Sequence, residues 1–302
     1  MKKILLLATG GTIASLQDKN GLAPAITSEE LLLSLPELKT LCTITPLDLF
    51  HLDSSNIQPE EWRIMAEAVH QALPDFDGIV ITHGTDTMAY SAAALSFMLQ
   101  GLDRPVVMTG SQLPLNHPLT DARTNLLTAI TAACLEGLQG VFIVFDRHLI
   151  AGTRASKVRT LGFDAFESIN APPVAIMDSG FDADHPGISE WNRVFLPPVP
   201  EPVMRFRTAL DPRVFLLKLI PGTRTEFFDA FTDMGYKGLV IEAFGIGGLH
   251  SLRRNLVDKL GLLARKGIPV VITSQCLYGR SDPSIYEVGR MAMAEGITPV
   301  YD

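Results

Sequence analysis

The sequence predicts an α/β fold, with a larger N-terminal domain built on a parallel sheet and a second, smaller α/β domain after it. Three observations lead there. Short apolar runs alternate with helix-like stretches along the 302 residues. Small hydroxyl and acidic residues gather directly after the runs. A proline-rich segment at 182–207, containing Leu196-Pro197-Pro198-Val199-Pro200-Glu201-Pro202, interrupts the alternation, which then restarts. A parallel sheet covered by helices on both faces requires this kind of alternation.

The first run covers residues 4–8, inside the opening stretch MKKILLLATGGTIAS. It imitates the charged and apolar parts of a secretory signal, but a signal needs about 7–15 apolar residues and this run ends sooner, at Thr9-Gly10-Gly11-Thr12. It is expected to be a buried strand that stays in the mature protein, with the two glycines permitting a tight turn after it. Further strands are expected at 43–50, 78–82, 105–109 and 141–145. Pro59-Glu60-Glu61-Trp62 opens a helix: proline suits the first turn, the acids sit at its positive end, and Trp62, Met65, Ala66, Val69 and Leu73 share one face. The strand exits read ATGGT, HLDSS, THGTDT and TGSQ. Parallel strands bring such exits to one edge, where open α/β sheets bind ligands. The catalytic α/β domain is expected at 1–185, a proline-rich linker at 186–212 and the smaller domain at 213–302. In that smaller domain strands are expected at 214–219, 238–243 and 269–273, with helices around 225–234 and 253–266.

Composition narrows the function classes. Hydrophobic residues make up 47% and charged residues 19%, enough for one large core or two smaller ones. No apolar stretch reaches the roughly 18–20 residues that span a bilayer, so no membrane role is expected. The net charge of -8, from 33 acidic and 25 basic residues, argues against a nucleic-acid partner, which needs a basic surface. Cys42, Cys134 and Cys276 are odd in number and far apart, so neither a disulfide framework nor a zinc site is indicated, and a reducing cytoplasm fits. There is no internal repeat and no low-complexity tract.

Within the exits, a constellation suited to acyl chemistry stands out. Thr12 follows the first strand, where the glycines would leave its hydroxyl at the sheet edge. Taken alone, it reads as readily as a helix cap. His83-Gly84-Thr85-Asp86-Thr87 repeats the arrangement after the strand at 78–82 and opens a helix near Met88, and Asp86 too could be a cap. Two such turns, one with a carboxylate, favour function over capping. A threonine hydroxyl is a weak nucleophile at neutral pH and needs a neighbouring base. Lys157, in Gly152-Thr153-Arg154-Ala155-Ser156-Lys157, can supply one if its segment returns to the same edge, although a lone lysine ordinarily reads as a surface residue. Ser54-Ser55, after the second strand, also reads as a turn and cap before Pro59.

TGGTIA, HGTDTMAYSAAAL, TGSQ, GTRASKVRT followed by GFDAFES, and the late ITSQC with IYEVGR resemble the bacterial type I, cytoplasmic L-asparaginases of the asparaginase/glutaminase family, along nearly the whole chain. The resemblance implies a flavodoxin-like N-terminal domain and hydrolysis of L-asparagine to L-aspartate and ammonia through a threonine acyl-enzyme. It also implies no metal or organic cofactor and a homo-oligomer, dimer or tetramer, in the cytoplasm. By position, Thr12 matches the family's nucleophile, and Thr85, Asp86 and Lys157 match its Thr-Asp-Lys triad. Ser54, Ser55, Thr85 and Asp86 match its substrate contacts. Regulation by asparagine near Ser156-Lys157 is a further implication. Two departures stand against this pattern. Leu22 occupies the place of a tyrosine common in relatives, and family chains continue beyond Tyr301-Asp302, so the smaller domain is expected to be cut short. Gly245-Ile246-Gly247-Gly248 also lacks the asparagine that secreted relatives lend to a neighbouring subunit.

Two rivals remain. One is the amidase subunit of a tRNA-dependent amidotransferase, whose extra N-terminal domain is not expected here. The other is a non-catalytic binding protein for a small amino acid or nucleotide, using Gly10-Gly11 and the glycines at 245–248 as anion loops, a weak signal without a full GxGxxG pattern.

Overall fold

The computed structural model describes residues 1–18, 21–178, 187–192 and 204–301, and the chain divides into two compact units, Met1–Ala209 and Leu210–Asp302. The proline-rich core of the expected linker, at 196–202, lies outside the described residues.

The strands of the first unit are β1 (Lys3–Gly10), β2 (Ser15–Asp18), β3 (Gly21–Pro24), β4 (Thr43–Leu52), β5 (Gly78–Thr82), β6 (Leu99–Gln100), β7 (Pro105–Thr109), β8 (Gly140–Phe145), β9 (His148–Ala151), β10 (Ala155–Lys157), β11 (Phe166–Ser168), β12 (Ala175–Met177), β13 (Ile188–Trp191) and β14 (Arg205–Phe206). Its helices are α1 (Ser28–Leu33), α2 (Leu38–Leu41), α3 (Pro59–Ala72), α4 (Met88–Met98) and α5 (Ala122–Ala133). Eight strands make the main sheet, in the order β13-β12-β9-β8-β7-β5-β1-β4. From β8 to β4 the pairing is parallel, as the alternating sequence predicts.

Beyond β8 the sheet departs from the expected all-parallel pattern, because β9, β12 and β13 add on antiparallel. The cause is local. Asp146 and Arg147 both take the left-handed conformation, with φ of 45° and 65°, and a two-residue turn of that hand folds β9 directly back onto β8.

Strands in the middle of this sheet are buried on both faces, which explains why they read as continuous apolar runs. Successive side chains point to opposite sides. Ile4, Leu6, Val80, Val107 and Phe142 pack with Leu31 of α1 and with Leu126, Ala129 and Ile130 of α5. Leu5, Leu7, Ile79, Ile81 and Met108 pack with Met65 and Val69 of α3 and with Ala92 and Leu95 of α4. The helix starts are set by their sequence. Thr27 caps α1 and its own N–H donates to the Glu30 carboxylate at 2.8 Å, a reciprocal capping box. Pro59 opens α3, where Glu61 accepts from the Gln58 N–H at 2.8 Å.

The second unit is a four-stranded parallel sheet of β15 (Val214–Lys218), β16 (Gly238–Ala243), β17 (Val270–Ser274) and β18 (Thr298–Pro299), with α6 (Phe227–Asp233), α7 (Leu256–Arg265) and α8 (Glu287–Ala294). Leu239, Ile241, Val270 and Ile272 from its strands pack with Phe228, Phe231, Leu260 and Leu263 from its helices. The molecule is thus an α/β fold of a larger, mainly parallel unit and a smaller α/β unit. Among the described residues, no helix is long and apolar enough to cross a membrane.

Candidate active site

Four strand exits, those of β1, β4, β5 and β7, are packed backbone against backbone. At the end of β1, Gly10 and Gly11 take φ of 106° and 80°, and the Gly11 N–H donates to the Leu52 carbonyl at the end of β4, at 3.0 Å. A Cβ on Gly10 would lie 2.4 Å from the Leu52 oxygen, and one on Gly11 would lie 2.4 Å from the Gly84 nitrogen. A Cβ on Gly84 would meet Ser54 at 2.7 Å, and one on Gly110 would meet the His83 oxygen at 2.3 Å. No side chain fits at such distances, so glycine is required wherever one exit touches the next.

This block carries the residues singled out from sequence. Thr12 begins a short 3-10 turn, Thr12–Ala14, directly after Gly11 and is half-buried. Ser15 Oγ donates back to the Gly11 carbonyl at 2.8 Å, which closes the turn. The hairpin of β2 and β3 follows at once, and Leu22 lies opposite Gln17 in its register. Across from Thr12, β5 delivers His83, Gly84, Thr85 and Asp86 ahead of α4.

Lys157, on β10, reaches the same place. Its Nζ donates to Thr85 Oγ1 at 2.8 Å and to Asp86 Oδ1 at 2.6 Å. The strand that holds it pairs antiparallel with β11, setting Lys157 opposite the buried Phe166. Only 15% of the lysine side chain is exposed, whereas 66% of the Asp86 side chain is. An ion pair with one solvated partner contributes at most about 1 kcal/mol to stability. Folding energy alone does not account for placing a lysine there. Asp86 keeps an accessible carboxylate.

Gln112 completes the surroundings of Thr85. Its Nε2 donates to the carbonyls of Thr160 and Gly162 at 3.2 and 2.9 Å, which fixes the amide so that Oε1 faces the Thr85 hydroxyl at 3.4 Å. Asp121 in turn accepts from the Gln112 and Leu113 N–H groups and from Asn125 Nδ2. Ser54 is buried, and its carbonyl accepts from Thr87 Oγ1 at 2.7 Å. Ser55 is exposed, and both its N–H and its hydroxyl donate to Asp53, the cap of that turn. The structure therefore joins Thr85, Asp86 and Lys157 by direct hydrogen bonds. It brings Thr12 and Ser54 to the same block through Gly11 and Gly84, and leaves Ser55 at its outer rim.

Two residues passed over in the motifs matter to this geometry: Gln112, within TGSQ, and His83, within HGTDT. No spacing rule marks either, because His83 matters through its burial and Gln112 through its hydrogen bonds at the strand exits. His83 is fully buried, with Nδ1 2.7 Å from the Gly84 carbonyl and Nε2 2.9 Å from Ser91 Oγ. Burial holds the imidazole neutral, its pKa lowered from 6.5 to about 4, against a smaller opposing effect of the Gly84 carbonyl. Above pH 6.5 the ring is neutral folded and unfolded alike. Below it the unfolded chain binds a proton that the folded one refuses, so stability falls as pH drops from 6.5 towards 4. The expected loss from this residue is about 3 kcal/mol. Urea unfolding of the native protein and of His83→Asn across that window measures it, and identical pH slopes would contradict it.

Among the described residues, no cluster of three His, Cys, Asp or Glu side chains could hold a metal ion. The glycine turns also spend donors that an anion loop would need. Gly247 and Gly248 donate their N–H groups to the Phe244 carbonyl at 3.0 and 2.7 Å, and Gly11 donates to Leu52.

Comparison with known proteins gives the family. Residues 3–186 match the family model described as Asparaginase, N-terminal, and residues 213–302 match the Glutaminase/Asparaginase C-terminal domain. The chain belongs to the asparaginase family. It is 41% identical over 303 residues to the L-asparaginase of Thermococcus kodakarensis, covering 99% of this chain and 88% of that protein. The solved structure of the thermostable L-asparaginase from that organism superposes with a TM-score of 0.88 at 40% identity, over 99% of this chain and 88% of that one. L-asparaginase I from Vibrio cholerae gives a TM-score of 0.85 at 29% identity, over 100% of this chain and 88% of that one. A component of the glutamyl-tRNA(Gln) amidotransferase of T. kodakarensis is 36% identical over 311 residues, covering 100% of this chain and 69% of that protein. This asparaginase-family chain is accordingly an amidohydrolase built on the fold described above.

Proposed function

We propose that the protein hydrolyses L-asparagine to L-aspartate and ammonia through a threonine acyl-enzyme. The observation that carries the proposal is the Lys157 nitrogen, which bridges Thr85 Oγ1 and Asp86 Oδ1 beside the Thr12 turn. In the proposed reaction the Thr12 hydroxyl adds to the side-chain amide carbon. Its proton passes through Thr85 to Lys157, which must be neutral at that moment to accept it. The C–N bond then breaks, and the departing nitrogen takes that proton back from Lys157 and leaves as ammonia. Water attacks the resulting ester, aspartate is released, and the Thr12 hydroxyl is restored. Asp86, solvated and anionic, suits the α-ammonium of the substrate. Backbone N–H groups and hydroxyls at the Ser54-Ser55 turn suit its α-carboxylate.

A type I, cytoplasmic character belongs to the same proposal. It is supported by the likeness to L-asparaginase I from Vibrio cholerae. Assembly as a homodimer or homotetramer is proposed with it. A second reading is favoured by the likeness to the glutamyl-tRNA(Gln) amidotransferase component, in which ammonia would be released for a partner protein.

Purified protein is expected to release ammonia from L-asparagine with no added metal and no partner. Turnover that vanishes on chelation would contradict the cofactor-free mechanism. No ammonia until a partner protein is supplied would favour the second reading.

A further inference from the structure

Gly84 is the point where three loops meet: its backbone lies against Gly11 ahead of Thr12, against Ser54, and directly before Thr85. Its carbonyl is held from beneath by His83 Nδ1 at 2.7 Å. A carbonyl oxygen only accepts, so Nδ1 must carry the proton. In the neutral ring Nε2 is then bare and must accept, so Ser91 Oγ donates to it at 2.9 Å. The Ser91 oxygen receives Trp62 Nε1–H, also at 2.9 Å. The row runs in one direction, from Trp62 on α3 through Ser91 on α4 to the turn, and both ring nitrogens are satisfied. The other tautomer would set a lone pair against the Gly84 oxygen.

We propose that His83 is a positioning residue, whose Nδ1–H fixes the Gly84 carbonyl and thereby sets Thr85 and Asp86 against Thr12 and Ser54. This rests on the hydrolase reading of the site. His83 itself is 0% exposed, so it acts through the turn and not on the substrate.

Two isosteres separate its two hydrogen bonds. The amide nitrogen of asparagine falls where Nδ1 lies, so His83→Asn keeps the donor to Gly84 and gives up Ser91. The longer glutamine reaches the Nε2 position, so His83→Gln keeps Ser91 and leaves Gly84 without its donor. Misplacement of reacting groups by about 1 Å costs on the order of 100-fold in rate. His83→Gln is therefore expected to lose about 100-fold in kcat for asparagine, with His83→Asn remaining within about 10-fold of the native enzyme. In parallel, 15N NMR of histidine-labelled native protein should show a neutral Nδ1–H ring, assigned by its loss in His83→Asn. An Nε2–H ring, or a glutamine variant as fast as the asparagine variant, would overturn the proposal, and the NMR arm decides even if His83→Gln does not fold. Native protein that releases no ammonia would count against the hydrolase reading, and the tautomer then judges the hydrogen-bond assignment by itself.

Discussion

Lys157→Met is expected to remove nearly all asparagine turnover, by a factor of about 10²–10⁴ in kcat, the range of a lost general base. Leu22, at the place where relatives carry a tyrosine, has no ionisable group and cannot move a proton from Thr12. Lys157 is the amine placed to do so, 2.8 Å from a hydroxyl that lies on the same block of loops as Thr12. Methionine keeps an unbranched chain out to Cε, with sulfur in place of Cδ, and lacks the amine. Because groups acting as a unit lose activity together, Lys157→Met is expected to cost nearly as much as Lys157→Met combined with Thr85→Val. Steady-state ammonia release from the single and double variants measures this. Trapping of the acyl group on Thr12→Val or Thr85→Val, read by peptide mass, identifies the attacking oxygen. A Lys157→Met protein with native turnover would rule the mechanism out and turn attention to a tyrosine such as Tyr90, which is exposed on α4.

Gly11→Ala is expected to destabilise the protein by more than about 4 kcal/mol, into the range reserved for severe structural conflict, and to abolish activity. Two penalties combine. A φ of 80° disfavours any side chain, and the new methyl would sit 2.4 Å from the Gly84 nitrogen, 2.5 Å from its Cα and 2.8 Å from the His83 carbonyl carbon. All three are main-chain atoms, with no flexible side chain to give way. Gly137 separates the penalties, because its φ is similar at 75° and nothing lies within 4 Å of its added Cβ. Gly137→Ala is expected to lose only the conformational part, about 1–2 kcal/mol. Urea midpoints of the two variants make the comparison, and equal losses would show that the close approach of the loops carries no weight.

The central strands were legible because burial on both faces leaves an uninterrupted apolar run, and the glycines after β1 mark where it stops. The helix at Pro59 was legible from its proline, its acids and its apolar face. The antiparallel margin was not, since Asp146-Arg147 carries none of the glycine or asparagine that usually announces a turn of that hand. Thr12, Thr85 and Asp86 follow their strands so closely that sheet topology alone gathers their loops at one edge. Lys157 is different: 71 positions separate it from Asp86, and only the β10–β11 hairpin brings it back. His83 and Gln112 stayed hidden because what distinguishes them is which neighbour each nitrogen meets. No periodicity records that.

β1 lies between β4 and β5, so the strand that comes first in the sequence is an interior one. Its Lys3 N–H donates to the Asp77 carboxylate across 74 positions, and its register with β5 begins at Ile4 and Gly78. A chain emerging from a ribosome can join β1 to β4 once Leu52 is out, but the other edge of β1 waits for Thr82. At about 5–20 residues per second that interval is roughly 2–6 s. Throughout it, Leu5 and Leu7 lack β5, α4 and most of the side they will be buried in. The nascent protein passes through a stage with one open, apolar strand edge, and it is in those seconds that a holding chaperone, or a competing strand from another chain, meets it.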